Sequence, residues 1–440
     1  MQEYFYDLAD AITGLLHGDE FYTCTFHAED SDFVRFNHSL IRQAGSVAQR
    51  YLTIDLIRGQ RHAATDVALS GAFDSDRAQL SQVIKDLRER LPHLPEDPHL
   101  LYATTVHSTV QQGENHLPEK AEAVAAVLDA GRGRDLVGIY AAGGIYAGFA
   151  NALGQRNWFA SFTFNCDWSL YYQGDKAVKM SYAGFVWEPA VFARKVVEAV
   201  EQLEVLSRPP RTIPPGRYRV YLAPTALYDI LQQLSWGGFG LKDHRTKQTT
   251  LLKMVEEGVR LHPAITIREN TRDGVAPNFQ EAGFIKPDQV TLIEAGSFRN
   301  CLVSPRSAKE YGVPTNGASA AEVPEAIDMA AGDIAHDEIL QRLDTGVYIN
   351  HVWYLNYSDR SACRMTGMTR FATFWVEGGI IQAPLSVMRF DETIYRMLGT
   401  HLVGLTADRD FILDPSTYHR RSTDSSRLPG ALIEQFTFTL

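Results

Sequence analysis

The sequence RPPRTIPPGRYRVYLAPTALYDILQQL, residues 208–234, divides the chain into two parts. Two Pro-Pro pairs fall within its first nine residues, and proline interrupts regular helices and sheets because it lacks a backbone N–H. Directly after them, YRVYLAP predicts a β-strand and TALYDILQQL predicts an α-helix. We therefore expect an N-terminal domain at residues 1–207, a proline-rich linker at 208–216 and a C-terminal domain at 217–440.

Both parts combine many strands with fewer helices. In the N-terminal part, strand-like runs such as FYTCTFHAE (21–29) precede helical patterns, the last of which is a long amphipathic segment at 188–206. The C-terminal part consists mostly of short strand-like runs separated by Gly, Asn and Pro, with further helix candidates at 248–257 and 335–344. This pattern predicts an α+β fold, with an N-terminal antiparallel sheet flanked by helices and a strand-rich, barrel-like C-terminal domain.

Composition and charge exclude several classes of protein. Of the 440 residues, 45% are apolar and 22% are charged, which excludes general disorder, a collagen-like fibre and a coiled coil. The formal net charge of −11 makes nucleic acid and anionic membranes poor partners, because both are negatively charged. The N-terminal stretch MQEYFYDLADAITG is acidic where a secretory signal peptide is basic. We therefore expect a cytoplasmic protein that binds neither nucleic acid nor membrane.

The candidate reactive side chains follow no standard catalytic motif. The chain has no phosphate-binding P-loop, no G-x-S-x-G elbow and no H-E-x-x-H pair. Its four cysteines are far apart, which excludes a disulfide scaffold and indicates free thiols in a reducing compartment. Cys363 follows His351 by twelve residues, so it is interpreted either as half of a Cys–His nucleophile or as a core cysteine. His336 is interpreted as part of a solvated helix face rather than as a metal ligand.

Residues 136–155, LVGIYAAGGIYAGFANALGQ, are twenty residues without a charged side chain. That is about the length of a membrane-spanning helix. However, Gly143 and Gly144 stand at the centre, between the strand-like runs LVGIY and GIYAGFA. A Gly pair between two such runs is typical of a two-residue hairpin turn. We therefore predict a β-hairpin that reverses at these glycines, and no membrane-spanning helix.

Five stretches that span nearly the whole chain follow one family pattern in order. They are DFVRFNHSLIRQAGSVAQRYLTIDLIRGQRHAATDVAL (32–69), LVGIYAAGGIYAGFANALGQRNW (136–158), PPGRYRVYLAPTALYDILQQL (214–234), EAGFIKPDQVTLIEAGSFRNCLVSPRSAKEYGVPTNGAS (281–319) and RFATFWVEGGIIQAPLSVMRFDETIYRMLG (370–399). Together they resemble the TldD/PmbA (TldE) family of two-domain, metalloprotease-related proteins. The resemblance implies the two-domain fold of that family.

The helix after the first C-terminal strand distinguishes the two kinds of family member. TldD-like chains carry a metal-binding H-E-x-x-x-H there, and TldE/PmbA-like chains lack it. In this sequence, Leu234 and Ser235 stand at the positions of the first His and the Glu, and Phe239 stands at that of the second His. Residues 225–243 contain no histidine, so a shifted alignment does not restore the motif. The resemblance thus implies no catalytic residue, no metal ligand and no other cofactor in this chain.

The resemblance implies a structural role in a larger protease. TldD-like and TldE-like subunits form a heteromer that encloses the zinc site of the TldD-like subunit and degrades unfolded or precursor peptides. This chain would be the non-catalytic TldE/PmbA-like subunit, which binds extended peptide along the wall of the chamber. The residues expected at that peptide-binding surface are Trp236, Gly237, Gly238, Phe239, Asn350, His351, Trp353 and Tyr354.

Two alternatives remain open on the sequence alone. The first is a free-standing peptide hydrolase that uses Cys363 with His351, or a metal ion held by scattered histidines. The second is a peptide-binding protein that associates with itself as a homodimer and has no enzymatic partner.

Overall fold

The computed structural model describes residues 1–174 and 176–439. Its fold is α+β, as the sequence predicts, with a helix-flanked N-terminal sheet and a strand-rich C-terminal part. Residues 207–215, which cover most of the proposed linker, contain no helix or strand. Among the described residues, no helix is both long enough and apolar enough to cross a membrane.

In the described part of the chain, seven strands form the N-terminal sheet: β1 (Phe21–Asn37), β2 (Leu40–Arg58), β3 (Arg61–Ala68), β4 (Thr109–Gln112), β5 (Asp135–Asn151), β6 (Arg156–Gln173) and β7 (Lys176–Gly184). The strand order is β3-β2-β1-β5-β6, and both β4 and β7 pair with β6. All of these pairs are antiparallel except β4 with β6. The sheet is therefore the antiparallel one that the sequence predicts.

Helices cover one face of this sheet, and the C-terminal part covers the other. The helices are α1 (Gln2–Thr13), α2 (Phe73–Arg90), α3 (Lys120–Gly131) and α4 (Pro189–Leu206). Even-numbered residues of β1, β2, β5, β6 and β7 point towards them, as shown by Phe26 in the core with α1 and α2 and Trp168 in the core with α3 and α4. In β3, the odd-numbered residues Ala63 and Val67 point the same way. Since successive residues of a strand point to opposite faces, the alternate residues of each strand point the other way. There Phe149 packs with Phe279 of the C-terminal part.

Eleven strands form the second sheet within the described residues: β8 (Gly216–Leu222), β9 (Ile267–Glu269), β10 (Val290–Glu294), β11 (Ser297–Phe298), β12 (Ala326–Met329), β13 (Gly346–Asp359), β14 (Arg364–Glu377), β15 (Ile380–Pro384), β16 (Arg389–Thr393), β17 (Leu402–Leu413) and β18 (Ser425–Phe438). β8 pairs with both β13 and β18, so β8, β13, β14, β16 and β18 close into a ring. This ring is the barrel-like core that the sequence predicts.

Short helices connect these strands, and one longer helix packs on the ring. They are α5 (Pro224–Gly238), α6 (Leu241–Arg245), α7 (Leu252–Glu256), α8 (Pro305–Tyr311) and α9 (Ile339–Leu343), with a 3-10 turn at His336–Glu338 and a π-helical turn at Arg396–Thr400. A further 3-10 turn, Leu91–His93, follows α2 in the N-terminal part. The apolar side of α5 joins the same hydrophobic core as β13, β16 and β18. This packing fixes the position of α5, the helix at which the family resemblance places the metal motif.

The predicted hairpin at Gly143-Gly144 is wrong. Strand β5 continues through both glycines and pairs with β1 on one side and β6 on the other. The chain reverses instead at residues 152–155. The φ of Gly143 is 154°, and a Cβ atom there would lie 2.1 Å from the carbonyl oxygen of Asp30 on β1. Glycine is therefore required by the close approach of β1 and not by a turn.

The segment between β17 and β18, residues 414–424, carries Arg421 into the N-terminal sheet. The Arg421 guanidinium donates to the carbonyl (2.8 Å) and hydroxyl (2.7 Å) oxygens of Thr163 and to the Gly143 carbonyl (3.3 Å). Its backbone N–H donates to the Glu29 carboxylate (3.1 Å). Burial lowers the pKa of Arg421 to about 10, although the charge of Glu29 opposes this. Arg421 thus joins the C-terminal part to the N-terminal sheet.

Candidate functional site

Helix α5 stands where the family resemblance places a metal-binding helix. It begins at Pro224, where the missing proline N–H is not needed, and its buried apolar side extends to Leu234. Its regular geometry breaks at Trp236 (ψ 90°) and Gly237 (φ 83°). This positive φ lies in the left-handed region that residues with a Cβ atom rarely adopt, so the break favours glycine. The helix therefore does not present a continuous face through the position of the second histidine.

The three positions of the metal motif do not fit a zinc ion. Leu234 is 0% and Phe239 is 1% exposed, and both belong to the hydrophobic core. Ser235 is buried and donates its hydroxyl hydrogen to the Leu231 carbonyl (2.8 Å). Two of these side chains have no lone pair, and the third already uses its hydroxyl within the helix. In the described part of the chain, no three His, Cys, Asp or Glu side chains are grouped so as to hold a metal ion.

Of the predicted surface residues at the end of α5, only Trp236 is exposed, at 64%. Gly237, Gly238 and Phe239 are buried, and the Gly238 carbonyl accepts a hydrogen bond from the hydroxyl of Thr249 (3.1 Å). Buried residues cannot contact a peptide without a rearrangement of the core. The expectation that these three residues form part of a peptide-binding surface is therefore corrected, and Trp236 remains the candidate there.

Asn350 connects three elements of the structure. Its side chain is buried in β13. The single hydroxyl hydrogen of Thr225 is within reach of both the Asn350 carbonyl oxygen (2.6 Å) and its side-chain oxygen (2.9 Å), and Asn350 Nδ2 donates to the side-chain oxygen of Gln202 (3.3 Å). These bonds join α4, α5 and β13. The structure therefore assigns Asn350 a structural role.

His351 is buried and uncharged at neutral pH. It is 7% exposed, and its Nδ1 has no hydrogen-bond partner in the described structure. Burial, together with the positive charge of Lys179, lowers the pKa of His351 to about 3. Its ring meets the ring of Phe371 edge-on, with the centroids 5.6 Å apart. His351 therefore packs beneath the ring of Phe371 and does not itself face solvent.

Trp353 and Tyr354 are exposed next to a cation. They are 46% and 67% exposed, and their ring centroids lie 4.2 Å apart. The guanidinium carbon of Arg370 lies 4.2 Å from the ring centroid of Trp353 and 5.0 Å from that of Phe371. We call Trp353, Tyr354, Arg370 and Phe371 the aromatic surface. Aromatic rings with a cation offer apolar contact, cation–π attraction and hydrogen-bond donors in one place.

The backbone of the aromatic surface is strained. Tyr354 has φ 52° and Phe371 has φ 55°, in the left-handed region that bulky side chains rarely adopt. The pairing of β13 with β14 shifts register next to both residues. Such conformations cost on the order of 1–3 kcal/mol each and are found preferentially at functional sites. Strain and exposure together make the aromatic surface the best candidate site in the described chain.

Three charged residues near the aromatic surface were missed by the sequence analysis. Asp229 accepts a hydrogen bond from the backbone N–H of Val352 (3.2 Å), and Nζ of Lys179 lies 5.9 Å from the ring centroid of Phe371. Burial raises the pKa of Asp229 to about 7 and that of Asp167 to about 6, while the charge of Lys179 opposes both shifts. An acid within the apolar helix TALYDILQQL was the available signal for Asp229. Lys179 and Asp167 had no comparable signal.

Replacing Asp229 by asparagine should stabilise the protein at pH 8 but not at pH 4. Because burial raises the pKa of this acid, the folded state binds more protons than the unfolded state between about pH 4 and 7, so stability falls as the pH rises. Asparagine can still accept the hydrogen bond from Val352. We expect the variant to be more stable by roughly 1–3 kcal/mol at pH 8, with the difference vanishing near pH 4. Urea unfolding of both proteins across this range measures it, and a difference independent of pH would contradict the assignment.

Cys363 and His351 are not brought together. Cys363 precedes β14, whereas His351 pairs with Arg370, seven residues further along the chain. Seven residues of strand span about 23 Å, since each adds about 3.3 Å. Cys363 is also fully buried, and burial raises the pKa of its thiol to about 12. A protonated, inaccessible thiol is not a nucleophile, so the structure contradicts the Cys–His interpretation and favours the core cysteine.

Three solved structures share this fold over 99% of the chain. TldE from Thermococcus kodakarensis matches over 100% of its own length with a TM-score of 0.79 and 12% identity. A proposed modulator of a DNA gyrase from Thermotoga maritima matches over 100% of its length (TM-score 0.76, 14% identity). A second such protein, from Bacteroides thetaiotaomicron, matches over 98% of its length (TM-score 0.73, 14% identity). At these identities the similarity shows the fold alone.

The second half of the chain carries the evidence for the family. No curated protein sequence matches this chain significantly. A profile of the PmbA/TldA metallopeptidase C-terminal domain, however, matches residues 215–440, just over half of the chain. The match begins at β8, the strand that closes the ring, and includes α5, the helix at which the metal motif is replaced. The chain therefore belongs to the PmbA/TldD family of metallopeptidase-related proteins.

Proposed function

We propose that this chain is a non-catalytic, TldE/PmbA-like subunit of a TldD–TldE-type metalloprotease that acts on unfolded or precursor peptides. The observation that carries the proposal is the chemistry of the motif positions. Leu234 and Phe239 are core residues, and Ser235 is hydrogen-bonded to its own helix. The similarity in fold to TldE from Thermococcus kodakarensis supports the same assignment. In this proposal, the zinc ion and the catalytic glutamate belong to a TldD-like subunit.

The aromatic surface is the part of the subunit that we propose contacts the peptide. Trp353 and Tyr354 present exposed rings, and Arg370 lies against the rings of Trp353 and Phe371. Rings and a guanidinium contact apolar side chains and backbone carbonyls with little dependence on sequence. An extended peptide that also forms main-chain hydrogen bonds would need no particular side chain. Both properties suit a protease of unfolded peptides.

The compartment that we propose is the cytoplasm. All four cysteines are free thiols, and Cys24, Cys166 and Cys363 are buried. Free cysteines are ordinary in a reducing compartment, whereas a secreted protein of this size more often pairs them.

Co-expression with a TldD-like chain that carries H-E-x-x-x-H tests the proposed partnership. We expect the two chains to co-purify through an affinity tag on either one and to elute together in size-exclusion chromatography. A homodimer of this chain that persists beside the TldD-like chain would instead favour a self-associating peptide-binding protein. A stoichiometric, tightly bound transition metal in this chain alone would favour a free-standing hydrolase.

Replacing Trp353 by alanine should lower peptide hydrolysis by the heteromer. A single aromatic anchor contributes about 1–2 kcal/mol to binding, so kcat/KM for an unfolded, fluorescence-quenched peptide should fall about tenfold. The matched control is Tyr172→Ala, which removes a ring of similar exposure (42%) from the N-terminal sheet and should leave kcat/KM unchanged. Equal effects of the two substitutions would contradict a role for the aromatic surface in binding peptide.

A further inference from the structure

A cleft separates the N-terminal and C-terminal parts on one side of the molecule. Residues of α4 and β7 form one wall, and residues of β8, β13 and β17 form the other. Its volume is about 710 Å³, within the range of roughly 300–1,000 Å³ that small-ligand sites occupy. Thr225, in the first turn of α5, lines it. The nearest position of the replaced metal motif, Leu234, is nine residues away, about 14 Å along the helix axis. The cleft is therefore distinct from the replaced metal motif.

Glu198 of α4 lines this cleft and is held by a chain of hydrogen bonds. Gln202 Nε2 donates to Glu198 Oε1 (3.0 Å), and Asn350 Nδ2 donates to Gln202 Oε1 (3.3 Å). The Thr225 hydroxyl donates in turn to the side-chain oxygen of Asn350 (2.9 Å). These hydrogen bonds orient the Glu198 carboxylate but involve only one of its two oxygens. No described side chain or backbone group donates to the other oxygen, which remains available to a ligand.

Two tyrosine rings stand beside this carboxylate. Tyr221 and Tyr348 both line the cleft, and their ring centroids lie 5.2 Å apart. Tyr221 is only 4% exposed, yet its hydroxyl makes no hydrogen bond in the described structure. Burial, with the negative charges of Asp410 and Glu198, raises the pKa of Tyr221, so the hydroxyl keeps its proton. A hydroxyl without a protein partner at the wall of a cleft is a group with which a ligand can form a hydrogen bond.

The Glu198 carboxylate forms no ion pair with a described residue, although Lys179, Arg194, Lys195 and Arg409 also line the cleft. The nearby Lys195 ammonium is engaged by Asp410, with Nζ 3.3 Å from Oδ2. Burial raises the pKa of Glu198, although the charges of Lys195 and His336 oppose this, and the carboxylates of Asp410 and Glu201 raise it further. A carboxylate in this position is stabilised when a cation binds next to it.

We propose that this cleft binds a cationic group of a ligand, an ammonium or a guanidinium, between the Glu198 carboxylate and the rings of Tyr221 and Tyr348. A carboxylate with aromatic walls recognises such a group through a charge-assisted hydrogen bond and cation–π attraction. In a peptide ligand, the cation is either the free amino terminus or a Lys or Arg side chain. The inference goes beyond the proposed function, because this binding needs no TldD-like partner.

Four tetrapeptides based on Ala-Ala-Ala-Ala-amide distinguish these sources when titrated calorimetrically into the chain alone. One has a free amino terminus, one is acetylated, one is acetylated and carries a single Arg, and one is acetylated and carries a single Glu. We expect at least one cationic peptide to bind about tenfold more tightly than the neutral acetylated peptide. The proposal is overturned if neither cationic peptide exceeds the neutral one, or if the Glu peptide binds most tightly.

Glu198→Gln keeps the size of the side chain and the acceptor for Gln202 but removes the charge. It should weaken the tightest cationic peptide about tenfold or more. The matched control is Glu204→Gln, the same change at an exposed position of the same helix, which should alter the affinity by less than about twofold. Tyr348→Leu removes one of the two rings, should weaken the same peptide severalfold, and provides a second test if Glu198→Gln does not fold. Unchanged affinity in both cleft variants, or an equal loss in the control, would overturn the assignment.

Discussion

Replacing Arg421 by methionine is expected to lower the free energy of unfolding by about 3–5 kcal/mol. Arg421 is 4% exposed and donates hydrogen bonds from its guanidinium to Thr163 and Gly143 of the N-terminal sheet. Methionine fills a similar volume but leaves those acceptors, and the charge of Glu29, without a buried cationic donor. Urea unfolding followed by circular dichroism measures the change.

Arg132→Met is the matched control for this substitution. The Arg132 side chain is 82% exposed, and among the described residues it forms an ion pair only with Asp129, three residues earlier. Exposed pairs of this kind contribute at most about 1 kcal/mol, so the control should lose no more than that. If the Arg421 variant were no less stable than the control, the C-terminal segment would not be anchored to the N-terminal sheet through this residue.

Replacing Gly143 by alanine is expected to lower the free energy of unfolding by about 3 kcal/mol or more. With φ at 154°, a Cβ atom would lie 2.1 Å from the Asp30 carbonyl oxygen, so β5 and β1 would have to separate. The Gly143 carbonyl is also an acceptor for Arg421, and movement of the strand would disturb that contact. The same urea experiment measures the loss.

Gly45→Ala provides the control, because Gly45 also lies within a strand of the same sheet. A Cβ atom there would meet no atom of the described structure within 4 Å, and the φ of Gly45 is not in the left-handed region. Alanine restricts the unfolded chain, so this variant should be neutral or up to about 1 kcal/mol more stable. Similar small effects at Gly143 and Gly45 would show that β5 and β1 do not approach as closely as described.

The parts of the fold that depend on local pattern could be predicted from the sequence. The amphipathic segment at 188–206 forms α4, and the alternation of few helices with many strands predicts the α+β class. The course of β5 could not be predicted in this way. A Gly pair indicates a turn when the two flanking runs pair with each other, and a close strand approach when a third strand lies beside them. The choice at Gly143 depends on Asp30 and Arg421, which are more than 100 residues away in sequence.

The sequence was sufficient to predict those features of the candidate site that depend on residue type alone. Phe239 cannot bind a metal ion in any fold, so the replaced motif could be interpreted before the structure was known. The buried state of Phe239 and the separation of Cys363 from His351 required the break in α5 and the register of β13 with β14. The approach of Lys179 to this ladder also required tertiary structure, because the residue lies on the other sheet.

Peptide hydrolysis by four preparations tests the central claim most directly. They are this chain alone, a TldD-like chain alone, the two together, and the two together with the glutamate of the partner's H-E-x-x-x-H replaced by glutamine. We predict no hydrolysis by this chain alone, hydrolysis by the pair that exceeds that of the TldD-like chain alone, and none once the partner's glutamate is replaced. Hydrolysis by this chain alone, or activity of the TldD-like chain that this chain does not change, would contradict the claim that it is a non-catalytic subunit.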